Sequence, residues 1–134
     1  MRKNGLRHLT RNERLALNQF VSRLRDQYAD QLVRVVLFGS KVRGDFDSES
    51  DLDVFVLVAS DDWHLHDQVA TLSSPISLKY NTLISPKVIG PSLYRKMRRL
   101  RSFFLQNVSK EGVSLWTKPP TKRSAKTLPT AATN

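Results

Sequence analysis

The sequence predicts an α/β (α+β) domain in which a small mixed β-sheet carries helices packed against it. Two β-branched apolar runs, Leu32 to Phe38 and Leu52 to Val58, are each bounded by turn residues and read as buried strands. Segments of helical period lie before and after them. The chain has 134 residues, 40% of them hydrophobic and none of them Cys. That length suits one core, and disulfides and Cys-ligated zinc are excluded.

Each element has a local reason. Thr10 to Tyr28 reads as the first helix. Thr10 and Glu13 match a capping box, in which hydroxyl and carboxylate each take a free backbone N–H. Leu17, Phe20, Val21, Leu24 and Tyr28 then form one apolar stripe at 3.6-residue spacing. Leu32 to Phe38 ends at Gly39, and Lys41 to Ser50 is a polar loop with Gly44 inside it. Asp61 or Asp62 can cap a short helix carrying Leu65, Val69 and Leu72. Ile76 to Ile84 alternates and is expected to be a third strand. Pro91 opens a last helix with Leu93, Met97, Leu100, Phe104 and Val108 as its inward stripe. Gly112 stops that helix, and Val113 to Trp116 is expected to add a short edge strand. The domain is expected to span 1–116. Residues 117–134, with three prolines and no aromatic residue, read as a disordered basic tail.

Charge sharpens the reading. The chain carries 22 Lys and Arg against 12 Asp and Glu, a net +10. Divided by position, residues 39–62 hold 2 basic and 7 acidic groups, a net −5, and the remainder holds +15. A generic basic binder has no need to concentrate its carboxylates; a metal site does. No apolar run approaches the roughly 20 residues of a membrane span. No apolar stretch follows the basic N-terminal residues, so a signal peptide is not expected and a cytoplasmic location is.

The chemistry concentrates between Gly39 and Asp53. A strand ends in Gly39-Ser40, where glycine lets the backbone turn and lets an anion approach the main chain. The N–H groups that follow and the Ser40 hydroxyl can donate to phosphate oxygens. Ten residues later come Asp51 and Asp53, two apart and therefore on one face of the next strand. Carboxylates held together in this way repel unless a cation lies between them. Oxygen ligands of this kind suit Mg²⁺, which completes its shell with phosphates and water. Lys41 and Arg43 stand beside the expected triphosphate. His64 and His66 are spaced i, i+2 and do not share a helix face, so a metal role for them is not expected.

Gly-Ser, ten residues, then Asp-x-Asp resembles the signature of the minimal nucleotidyltransferases (MNT) of the DNA polymerase beta-like superfamily. Leu37-Phe38 before the glycine, Arg43-Gly44 in the loop and Ser50 before the first Asp agree with it, as do Ile84-Ser85-Pro86 and Glu111-Gly112-Val113. The resemblance covers about residues 10–116 and implies a nucleotidyltransferase-like fold. It implies ATP as donor, with Gly39 and Ser40 holding the triphosphate and Asp51 and Asp53 as catalytic ligands of Mg²⁺; Lys41, Arg43 and Ser50 beside them are further candidate nucleotide-binding residues. It also implies an antitoxin in a hetero-oligomer with a HEPN ribonuclease toxin, to which AMP is transferred on a tyrosine hydroxyl. One position departs from the pattern. The superfamily supplies a third carboxylate from the neighbouring strand, directly before the Ile-Ser-Pro segment, and here that position is Leu83. Asn81 as a neutral oxygen, or Asp45 or Asp47 from the loop, are the local substitutes. The departure supports an alternative, an antitoxin that binds its toxin without chemistry. A further alternative is a nucleic-acid-binding module using the Arg95–Arg101 cluster and the tail. It is the weaker one, because no recognised reading motif accompanies the charge.

Overall fold

The computed structural model describes residues 5–44 and 50–120. Its elements run α1 (Arg11–Tyr28), β1 (Leu32–Phe38), α2 (Ser40–Arg43), β2 (Leu52–Val58), α3 (Trp63–Thr71), α4 (Ser73–Tyr80), β3 (Ile84–Ile89), α5 (Pro91–Arg99), α6 (Phe103–Glu111) and β4 (Val113–Thr117), after a 3-10 turn at Gly5–His8. The expected mixed sheet is present, in the order β3-β2-β1-β4. Strand β1 pairs antiparallel with β2 and β4, and β2 pairs parallel with β3. A parallel pair needs a long crossover, and α3 with α4 provides it.

The bounds of β1 and β2 are those read from the sequence. The capping box of α1 is complete: Glu13 N–H donates to Thr10 Oγ1 at 3.2 Å, and Thr10 N–H to Glu13 Oε1 at 2.8 Å. Asp62 caps α3 by accepting from His64 N–H. Asp61 instead accepts from Ser92 N–H at 3.0 Å and so holds the first turn of α5.

Four expectations are corrected. The segment Ile76 to Ile84 is mostly helix, not strand. Ile76 is buried, but Leu78, its partner in the supposed apolar alternation, is 84% exposed. Pro75 sits in the first turn of α4, where a missing N–H costs nothing. The real third strand starts at Ile84 and carries Pro86, which is tolerated because β3 is an edge strand. Second, the last helix is two helices. Arg101 adopts φ 53°, and Ser102 caps α6 by accepting from Leu105 N–H. The apolar period restarts there, so Leu93 and Leu100 are exposed, and Tyr94, Met97, Phe104, Leu105 and Val108 face the sheet instead. Third, the start of the loop after Gly39 is the single helical turn α2. Fourth, the edge strand β4 ends at Thr117 rather than Trp116, and Lys118 N–H donates to Val33 O at 2.9 Å. Residues 121–134 of the expected tail lie outside the described residues, as do Asp45 and Asp47.

The sheet separates two apolar clusters. Leu32, Val35, Leu37, Leu52, Val54, Val56 and Val58 point to α1, α3 and α4 and join Leu17, Phe20, Leu24, Val69 and Ile76. Val36, Phe55, Leu57 and Ile89 point the other way, to α5 and α6. An irregularity between Leu32 and Arg34 shifts the parity of β1, so Val33 shares the second cluster with Val36. No helix among the described residues is long and apolar enough to cross a membrane.

Candidate active site

The residues of the signature meet at one end of the sheet, where β1 finishes and β2 and β3 begin. Phe38 is the register partner of Asp53 on one side, and Ser85 is its partner on the other. Asp53 alternates with Phe55, so its carboxylate lies on the face covered by α5 and α6. Asp51 and Asp53 are both half-buried.

Gly39 is required at its position for two reasons. Its φ is +87°, in the left-handed region. A Cβ built there would lie 2.5 Å from Asp53 Oδ2. The strand end is therefore packed directly on the carboxylate, and any side chain would displace it. Beyond Gly39 the chain closes into α2: Val42 and Arg43 N–H groups donate to Gly39 O, and Gly44 N–H donates to Ser40 O at 2.8 Å. Ser40 is half-buried at the first position of this turn, and Ser50 is half-buried next to Asp51. Gly39 and Asp53 are thus brought into contact, with Ser40 and Asp51 next to them along the chain, while Ser50 lines a cleft with Thr10, Glu13, Ser77, Asn81 and Leu83.

The two basic candidates part company. Lys41 is buried, and its ammonium lies 2.7 Å from Glu13 Oε2. The buried pair ties the turn after β1 to the capping box of α1, which gives Lys41 a bracing role. Burial pushes Glu13 up, but Lys41 and the Thr10 bonds outweigh it and hold the carboxyl below its usual value. Arg43 is exposed and reaches across the sheet end to Glu111 at the close of α6, 3.1 Å away.

Burial raises the Asp53 pKa; the charges of Lys87 and Arg43 pull it down, and Asp51 pushes it up. A partly buried carboxylate beside a second one is an incomplete site that a cation would relieve. Among the described residues no group of three or more His, Cys, Asp or Glu side chains could cage a metal ion. The donor set therefore fits an ion that brings phosphate and water ligands with it, as Mg²⁺ does.

Leu83 falls one residue before the first β2–β3 pair, Leu52 with Ile84, and its carbonyl accepts from Leu52 N–H at 2.8 Å. It is 56% exposed. Asn81 ends α4 in the left-handed conformation and is not on the strand. Ser85 and Lys87 are the β3 residues beside Asp53 and Phe55, and sequence reasoning missed both. The available signal was Pro86, which marks an edge strand rather than its end. His64 stacks on Trp63 while His66 bonds Ser60 O at 2.7 Å, so the two histidines do not converge.

Comparison with known proteins agrees with this geometry. Residues 17–110 match the family model described as "Nucleotidyltransferase domain". Two proteins of Methanocaldococcus jannaschii are similar. "Putative protein adenylyltransferase MJ0604" is 33% identical over 105 residues, 78% of this chain and 99% of that protein. "Putative protein adenylyltransferase MJ0141" is 40% identical over 87 residues, 64% of this chain and 81% of that one. A crystal structure of a toxin–antitoxin with AMP-PNP superimposes with a TM-score of 0.50 and 25% identity, over 86% of each chain. With Gly39 seated on Asp53 and these relatives spanning most of its length, the chain belongs to the nucleotidyltransferase domain family.

Proposed function

We propose that the protein transfers AMP from ATP, with Mg²⁺, to a tyrosine hydroxyl of a HEPN ribonuclease toxin, and that it acts as the antitoxin. The observation that carries the reading is the Gly39-Ser40 turn packed on Asp53, with Asp51 directly before β2. The names of the two archaeal relatives support protein adenylylation, and the toxin–antitoxin neighbour with AMP-PNP supports the partner and the nucleotide.

The chain's own residues divide the work. The α2 turn receives the triphosphate at Ser40, with Arg43 at its far side. Asp51 and Asp53 would hold Mg²⁺, which supplies charge neutralisation at the reacting phosphate. The acceptor hydroxyl oxygen bonds to the α-phosphorus, the bond to the β-phosphate bridge breaks, pyrophosphate leaves, and the hydroxyl proton passes to solvent. The partner brings the acceptor hydroxyl to this site.

The test is to combine the protein with ATP, Mg²⁺ and a HEPN ribonuclease and to weigh both chains intact. An AMP-sized gain on the ribonuclease, lost in Asp51→Asn/Asp53→Asn, is expected. No gain while the complex forms and the fold is intact would overturn the reading. A second reading, neutralisation by binding alone, is favoured by the acid-free row Leu83, Ser85 and Lys87. It predicts that the double Asn variant still neutralises the toxin.

A further inference from the structure

We propose that Lys87 is a built-in cation of the carboxylate pair, and that the site therefore takes its nucleotide with a single divalent ion. The proposal rests on the nucleotidyl-transfer reading and adds the charge arrangement within the site.

The register is the first ground. Strands β2 and β3 pair parallel and unshifted, Asp53 with Ser85 and Phe55 with Lys87. Side chains of paired residues leave the same face of the sheet, and neighbouring strands lie about 4.8 Å apart. Asp53, Ser85 and Lys87 therefore share one face and one end of the sheet.

Direction is the second ground. Lys87 is exposed. Its ammonium nonetheless folds back along its own strand and donates to Ser85 Oγ at 2.9 Å. That bond carries the charge toward the row of Asp53 rather than outward to solvent.

Charge balance is the third. Arg43 is turned to Glu111 at the close of α6, 3.1 Å away. Asp51, Asp53 and Lys87 leave one net negative charge among the described side chains of the row. One divalent ion turns that to one net positive charge, which suits a polyphosphate. A second would add two more positive charges with no further carboxylate from Leu83, Ser85 or Lys87 to hold it. Lys87 thus occupies electrostatically the place that a second ion would need.

The experiment measures binding, independently of turnover. Mn²⁺ is counted by paramagnetic resonance at saturating AMP-PNP, and one ion per chain is expected for the unmodified protein. Affinities are then measured for Mn²⁺ without nucleotide and for AMP-PNP without metal. In Lys87→Met the first is expected to strengthen and the second to weaken, each by about three- to tenfold. Lys87→Arg is expected to restore both. A lysine that only packs or solubilises would move neither, or both in the same direction. Two Mn²⁺ per unmodified chain, or unchanged or parallel shifts in Lys87→Met, would overturn the proposal while leaving nucleotidyl transfer standing. Binding of neither AMP-PNP nor Mn²⁺ by the folded protein would overturn both. Lys87→Gln serves as a second neutral variant if the Met variant loses its circular dichroism.

Discussion

The two faces of the sheet are built for different purposes. Among the described residues, the face under α1, α3 and α4 gathers seventeen buried apolar residues, and the face under α5 and α6 gathers five. The first holds Phe20, Leu24, Leu32 and Val54 at zero exposure. The second holds the smaller cluster around Phe55, where Phe104 packs edge-on to Phe38 at 5.4 Å, and leaves Leu100 and Phe103 65% and 82% exposed. Asp53, Ser85 and Lys87 lie on this thinner face. Apolar burial supplies most folding free energy, so stability should reside on the first face and chemistry on the second. On the proposed function the second face has to admit a nucleotide and a partner, which the densest part of a core cannot do.

Substitutions can break this division. The largest effect is expected from Asp51→Asn/Asp53→Asn: AMP transfer falls by at least about a thousandfold, measured by intact mass over time, because a metal's contribution of several kcal/mol is removed. Its urea midpoint should stay the same or rise, since a repelling pair has been neutralised. A large loss of stability would instead make the carboxylates part of the scaffold.

On the opposite face, Phe20→Ala should cost about 3–5 kcal/mol in urea unfolding, through lost burial and the cavity left behind. If it cost less than Phe103→Ser, the assignment of the two faces would be reversed. Phe103→Ser itself should stay within about 0.5 kcal/mol, because its ring is exposed already.

The brace between α1 and the phosphate turn falls next in size. Lys41→Met leaves Glu13 buried without its cation and should cost about 3 kcal/mol. The pair also sets a pH dependence. Glu13 has a folded pKa below its ordinary value of 4.5, so its contribution is present above that value and is lost as the pH falls through the lowered one. The acid limb of the unfolding curve should therefore flatten in Glu13→Gln.

The sharpest probe of the site is Gly39→Ala. A methyl group there meets Asp53 Oδ2 and a left-handed backbone, at a cost of about 1–2 kcal/mol. AMP-PNP affinity should fall by more than stability does, because the displaced atom is the carboxylate itself.

Much of this arrangement is legible in the linear chain, for local reasons. The bounds of β1 and β2 follow from β-branched runs that stop at a glycine or an aspartate. The capping box of α1 is written in Thr10 and Glu13. The meeting of Gly39 with Asp53 is implied once the end of β1 and the start of β2, separated by thirteen residues, are made neighbours. The misreadings have local reasons as well. Ile76 to Tyr80 alternates by chance within a helix whose Leu78 is exposed. The break at Arg101 carries no glycine, only the capping Ser102. The β3 strand contains a proline, and only its place at the sheet edge makes that harmless.

The sequence by itself determined the donor set: a glycine turn and two carboxylates at fixed spacing, enough to name the chemistry. Tertiary structure alone decided what stands beside them. Lys41 faces Glu13, 28 positions away, and Lys87 shares a sheet face with Asp53, 34 positions away. Neither pairing leaves a trace in local periodicity. Both are fixed by which surfaces the sheet can bury, and that free energy is summed over the whole core rather than over neighbours in the chain.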